Sequence, residues 1–154
     1  MKITMLIATT LITSLTFGQR ASGSEVPGPV REGLSKAYPH AKSVKWDKED
    51  ANWEASFKQD GIELSVVLDG SGVVMEVETE IKQEALPAAV KENFSRDYAD
   101  YKLREVAKIT TGSRTTYELE VKKGRETLEL IFDSTGKLLE KKPVQGEKTG
   151  AQQS

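Results

Sequence analysis

Val26-Pro27-Gly28-Pro29-Val30-Arg31-Glu32-Gly33-Leu34-Ser35-Lys36-Ala37-Tyr38 returns sixty positions later as Leu86-Pro87-Ala88-Ala89-Val90-Lys91-Glu92-Asn93-Phe94-Ser95-Arg96-Asp97-Tyr98. The apolar positions Val26, Val30, Leu34 and Tyr38 match Leu86, Val90, Phe94 and Tyr98, each four apart. That spacing draws one apolar stripe along about three turns of helix. Pro27 or Pro29 in the first copy, and Pro87 in the second, suit a first helical turn, where a missing N–H leaves nothing unsatisfied. Each helix is expected to stop near Pro39 or Ala99. A repeat of this length decides the architecture before any single element does.

Beyond the helices the two copies keep matching, now offset by 64. Trp53-Glu54-Ala55-Ser56-Phe57-Lys58 faces Tyr117-Glu118-Leu119-Glu120-Val121-Lys122, and the segment 64–72 faces 128–136. The four added residues fall around 109–113, in a longer first hairpin. Strands are expected at 43–48, 52–58, 63–68 and 73–81, and again at 102–110, 115–122, 127–132 and 137–142. Trp53, Ala55 and Phe57 alternate with Asn52, Glu54, Ser56 and Lys58, the period of a strand with one buried face. Gln59-Asp60-Gly61 and Lys123-Gly124 read as tight hairpins, Asp69-Gly70-Ser71-Gly72 and Asp133-Ser134-Thr135-Gly136 as slightly longer ones. Connections this short force antiparallel neighbours. The fold class is therefore α+β: two tandem modules, each one helix packed on a four-stranded antiparallel sheet. A module of about 57 residues is marginal alone, so the two are expected to form one continuous unit.

Outward from the repeats, residues 1–18 hold Lys2, an apolar run from Ile3 to Phe17, and small residues at Thr16 and Gly18. This is the pattern of a cleavable signal peptide, cut after Gly18 or nearer Gly23, and is short for a membrane span. An uncleaved anchor is the alternative. Residues 19–25 read as a linker, 26–81 as the first repeat, 86–142 as the second, and 143–154 as a polar, disordered tail. The location implied is periplasmic or secreted, with no membrane anchor after cleavage.

The chain has no cysteine, which excludes disulfides, a thiol nucleophile and Cys-ligated metal. Its formal charge is −2. Lys2 is the only charge in 1–18, so the chain without that segment carries −3. A near balance of this kind lacks the basic surplus of a nucleic-acid binder.

The organisation resembles the PepSY-like, beta-lactamase-inhibitor-like family of small exported bacterial proteins. The residues that carry the resemblance are the Leu/Val-Pro-x-x-Val-(Arg/Lys)-Glu openings at Val26–Glu32 and Leu86–Glu92, the aromatic pair Trp46 and Trp53, and the Asp-x-x-Gly turns at Asp69–Gly72 and Asp133–Gly136. The resemblance spans nearly all of 19–154. It implies the same helix-and-sheet module in tandem, with the sheets forming a surface able to dock a partner.

Chemistry is sparse. His40 is the only histidine and follows Pro39 at a helix exit, where the second copy has Asp100; no nucleophile accompanies it. Asp69-Gly-Ser-Gly lacks the further acidic ligands of a calcium loop and reads as a turn. No catalytic residue, metal site or cofactor is expected, and the chain reads as no enzyme. Glu76, Glu78 and Glu80 alternate on one strand, either as a solvated edge or as a site for a cation. On the sheet face away from the helices, Val67 and Ile131 interrupt polar rows at equivalent positions. Trp46, Trp53, Phe57, Tyr117 and Phe132 read by periodicity as core residues under the helices, with Trp46, on an outer strand, alternatively a half-exposed contact residue. The expected function is a non-enzymatic protein-binding or inhibitor-like module, using the open face or an edge of the tandem sheet. Its expected contact residues are Trp46, Glu54, Ser56, Val67, Glu118, Glu120, Glu129 and Ile131, against an exported protein or peptide. The alternative is a periplasmic carrier of a small ligand or cation, using the acidic rows. The sequence leaves oligomeric state open.

Overall fold

A computed structural model of the chain describes residues 19–144. The expected signal segment, and the expected tail beyond Val144, lie outside the described residues. The elements run β1 (Gln19–Ala21), α1 (Gly28–Ala37), β2 (Lys42–Glu49), β3 (Asn52–Gln59), β4 (Ile62–Leu68) and β5 (Val74–Glu80). After a 3-10 turn at Gln83–Ala85 come α2 (Ala88–Asp97), β6 (Lys102–Thr111), β7 (Arg114–Lys123), β8 (Glu126–Asp133) and β9 (Leu138–Pro143).

The two helices start and stop by the same devices. Pro27 and Pro87 stand at the N-cap, where their carbonyls accept hydrogen bonds from the backbone N–H of Arg31 (3.2 Å) and Lys91 (3.1 Å). At the other end the Tyr38 and Tyr98 N–H groups donate to the carbonyls of Leu34 and Phe94. The stripe buries Val30 and Leu34 in α1, and Val90 and Phe94 in α2. Each stripe packs on a separate apolar cluster: Trp46, Trp53, Ala55, Phe57, Val66 and Leu68 under α1, and Val106, Leu119, Val121, Leu128, Leu130 and Phe132 under α2.

The sheet differs from the expectation. Among the described residues nine strands form one antiparallel sheet in the order β1-β2-β3-β4-β5-β6-β7-β8-β9, in place of two four-stranded sheets side by side. The seam is β5 against β6, paired from Glu76↔Thr111 to Glu80↔Ala107. Glu76, Glu78 and Glu80 therefore stand on a central strand, and the edge-strand reading of them is corrected. A second difference lies at 19–25, expected as a linker, where Gln19–Ala21 forms β1 and pairs with β2. Ala21 pairs with Trp46 and packs on the first cluster. Sixty residues on, the Ile81 N–H donates to the Val106 carbonyl at 2.9 Å, and Ile81 packs on the second cluster. β1 thus repeats the end of β5, and strand–helix–strand recurs as a unit. Pro143 and Val144, expected in the tail, belong to the sheet: Pro143 ends β9, and the Val144 N–H donates to the Thr127 carbonyl at 2.9 Å.

Helix and turn meet differently in the two copies. A Cβ on Gly33 would lie 2.0 Å from the Gly72 carbonyl oxygen, so only glycine lets α1 approach the β4–β5 turn. At the equivalent place in the second copy, the Asn93 side-chain amide donates to the Gly136 carbonyl at 2.7 Å. Both turns are tied by their aspartate. Asp69 accepts hydrogen bonds from the Ser71 N–H (2.9 Å), Ser71 hydroxyl (2.7 Å) and Val73 N–H (3.0 Å), and Asp133 does the same with Thr135 and Lys137. These are turns, as the sequence reading has them.

Candidate binding face

Both helices cover one face of the sheet, because Trp46↔Ala55↔Val66↔Val77 and Val106↔Leu119↔Leu130 share it in register. Residues between these point to the other face and align in rows across the strands. One row runs Glu54–Val67–Glu76–Thr111, the next Ser56–Ser65–Glu78–Ile109–Thr116. Then come Glu80–Ala107–Glu118–Ile131–Glu140, and Glu105–Glu120–Glu129–Lys142.

This face carries no covering layer among the described residues, yet parts of it are buried. Ile131 is 0% exposed, Ile109 1% and Ala107 3%. Across the ladders these buried residues are flanked by longer side chains of the same face, Glu80 and Glu118 beside Ala107, Glu78 and Thr116 beside Ile109, and Glu118 and Glu140 beside Ile131. On the first-copy side lies a hollow of about 560 Å³, lined by Glu54, Glu63, Glu78, Glu80 and Glu105 and, at its outer strands, by Lys42, Lys45 and Lys58. A second space of about 60 Å³, sharing Glu78 and Glu105 with the first, is lined by these two, Ala107, Glu118 and Glu120.

Carboxylates crowd this floor, and their acidity responds. Burial, helped by the negative charges of Glu78 and Glu129, pushes the Glu118 carboxyl up to about 8, against the pull of Lys142. One Glu118 oxygen is fully enclosed without a hydrogen-bond partner. Burial also pushes Glu78 up to about 7, with Glu54, Glu105, Glu76 and Glu129 adding to it. Glu105 rises for the same reasons, burial first and then Glu120. Near the β2–β3 turn, Glu49 is pushed up to about 7 by burial and by Glu54 beside it. Hydrogen bonds hold two others: the Ser65 hydroxyl donates to Glu54, and the Thr111 hydroxyl donates to Glu76 at 2.8 Å. Lys142 reaches across from β9 to Glu129 (3.4 Å) and Glu140 (3.7 Å).

Of the expected contact residues, Glu54, Ser56, Val67, Glu118, Glu120, Glu129 and Ile131 share this face. Trp46 does not. It is 8% exposed and lies under α1, because alternation sets it on the helix-covered face in register with Ala55 and Val66, while β1 pairs along the strand that the sequence reading left at the outside. Ile131 and Glu129 stand on the face but are buried, Glu129 at 8%. They form its floor and support, while Val67 stays half-buried at its surface. Glu105, Ala107 and Ile109 went unnoticed in the sequence. Their trace there is Val106-Ala107, two adjacent buried residues on opposite faces, which signals a strand covered on both sides. Among the described residues no three potential ligands gather closely enough to hold a metal ion, so the acidic row offers no ready cation cage.

A family profile described as "Putative beta-lactamase-inhibitor-like, PepSY-like" matches residues 19–76 and 66–140. No curated protein matches significantly. Several solved structures share the fold. A BLIP-like protein from Bacteroides fragilis is 27% identical with a TM-score of 0.65, the match covering 81% of this chain and 92% of that one. A protein from Bacteroides eggerthii, described as a "putative periplasmic" protein, is 21% identical with a TM-score of 0.73, over 77% and 88%. One from Bacteroides uniformis is 22% identical with a TM-score of 0.70, over 76% and 88%.

Proposed function

The chain belongs to the beta-lactamase-inhibitor-like, PepSY-like family, and on that premise we propose that it is an exported, non-enzymatic binding module. It holds a cationic segment of a partner protein or peptide in the hollow of the sheet face opposite its helices. Export is supported by the signal pattern of residues 1–18 and by the periplasmic description given to the Bacteroides eggerthii relative. No helix among the described residues is long and apolar enough to cross a membrane.

The observation that carries the reading is the state of Glu78 and Glu118. Two carboxyls with raised affinity for protons line one small space of about 60 Å³, and a buried oxygen of Glu118 has no hydrogen-bond partner. A lysine or arginine head brought there by a partner replaces the missing counter-charge and hydrogen-bond donor at once. Glu54, Glu120 and Ser56 form the polar rim, and Val67 the apolar contact beside it. Glu129 and Ile131 hold the floor.

The test is affinity capture from periplasmic extract with the chain 19–154, set against a Val67→Lys, Glu120→Lys variant that melts at the same temperature. A partner retained by the native chain and lost by the variant is expected. Its affinity should then tighten as pH rises through 7 to 8, where Glu78 and Glu118 ionise. Equal retention by both chains, or an affinity that weakens with rising pH, overturns the reading.

A further inference from the structure

The far end of the second copy holds a cluster of the opposite sign. Lys102 and Lys122 face each other directly in the β6–β7 ladder. A register shift between Leu103 and Glu105 brings Arg104 into the same neighbourhood. Together with Asp100, Lys123 and Gly124 they line a cavity of about 330 Å³. Lys123 is already engaged, 3.0 Å from the Asp100 carboxylate and 5.6 Å above the Tyr101 ring. Among the described residues no ion pair or side-chain hydrogen bond occupies Lys102, Arg104 or Lys122.

The internal repeat supplies a control inside the same molecule. Lys42 faces Lys58 in the first copy as Lys102 faces Lys122 in the second. In the first copy the next residue across is Glu63, whose carboxylate pairs with Lys58 at 3.0 Å. In the second copy the residue across from Lys122 is Thr127, which brings no charge. Like charges placed opposite each other across a ladder are destabilising. The first copy answers the pair with its own acid, and the second leaves it open.

We propose that Lys102, Arg104 and Lys122 form a binding site for a phosphate group. Three cationic side chains from two strands suit a group with up to two negative charges and three accepting oxygens better than a single carboxylate. The guanidinium adds a planar fork that meets two of those oxygens together. This site stands on different residues from the acidic hollow and does not depend on it.

The experiment is a backbone amide NMR titration of the chain 19–154 at constant ionic strength. Inorganic phosphate is the probe, and acetate is the control. Phosphate should give saturable shifts at 102–104 and 122–124 that acetate does not reproduce, with the amides of Lys42 and Lys58 unmoved. Thr127→Glu, which copies the first repeat's own counter-ion, should weaken phosphate about tenfold, and Lys122→Gln about fivefold, as expected for losing one charge-assisted contact. Thermal melts confirm that both variants remain folded. A parallel arm with phosphatidylglycerol vesicles separates the sources of the group. Shifts with free phosphate assign a soluble ligand, and shifts with the vesicles alone assign a lipid headgroup. Equal shifts at both lysine pairs, no response in either arm, or indifference to Thr127→Glu overturns the proposal.

Discussion

Glu118 shows how a place in the fold can overrule a residue type. Alternation puts it on the face away from the helices, where the sequence reading expects water. Its neighbours across the ladder are Ala107 on one side and Ile131 on the other, both buried. A carboxylate between two apolar residues loses hydration on both flanks, and the charges of Glu78 and Glu129 deepen the penalty. The folded state therefore binds a proton more tightly than the unfolded chain, whose carboxyl sits near 4.5. For a raised acid the contribution to stability is full below the unfolded value and is lost as pH climbs through the folded one. Stability should thus fall between about pH 5 and pH 8. Glu118→Gln keeps the shape and removes the ionisation. At pH 9 it should be the more stable protein by on the order of 2 kcal/mol, and at pH 4 the two should melt together. Thermal melts across that range check this, and parallel curves at every pH would show that the carboxyl is hydrated after all.

At the scale of elements, much was legible because the information was local. Two helices follow from the four-residue spacing of Val26, Val30 and Leu34 and its copy. Eight strands follow from alternation and from aspartate–glycine turns, with ends within a residue or two of those observed. What escaped was pairing between elements that are not chain neighbours. Nothing in the periodicity of Val77 or Ile109 says that β5 meets β6 across an intervening helix. β1 escaped for another reason: Gln19-Arg20-Ala21 is too short to show a period, and only Ala21, standing where Ile81 stands in the second copy, hints at it. The site divided along the same line. Seven expected contact residues share a face because alternation is local, and the same alternation sets Trp46 on the opposite face under α1, where β1 removes the open edge that would have exposed it. β9 bears a consequence of its edge position. It ends in Lys141, Lys142 and Pro143, residues that discourage a further strand from joining. Lys142 also reaches back to Glu129, a carboxylate only 8% exposed. Lys142→Ala strands that charge and should cost about 2 kcal/mol of stability in urea unfolding at pH 7, as removing one partner of a buried pair does. It should also raise the Glu118 carboxyl further, since Lys142 is the charge pulling it down. A neutral change in stability would mean that Glu129 finds water.

At the scale of the whole molecule, the question is whether two repeats with two separate cores behave as one body. Each apolar cluster lies under its own helix. Independent melting would be the natural result if the copies met only at a flexible link. They meet instead along a central strand that serves both: Val77 packs on the first cluster, and Ile81, just beyond the end of β5, packs on the second. The ladder from Glu76↔Thr111 to Glu80↔Ala107 ties that strand to β6. Unfolding either copy would expose the strand's backbone groups in the sheet interior and strip one cluster of a wall, while half the chain alone buries too little surface to be secure. The two should therefore unfold together. The sequence supplies a probe, because both tryptophans, Trp46 and Trp53, lie in the first copy and under α1. Tryptophan fluorescence thus follows the first core alone, whereas far-ultraviolet circular dichroism follows the whole sheet. In urea the two signals should give one midpoint and one slope, the slope being that of a single unit of this size. A dichroism curve with a second step that fluorescence does not see would mean that the seam is not a structural bond between the copies. The small space between Glu78 and Glu118, which straddles it, would then open whenever one copy unfolds.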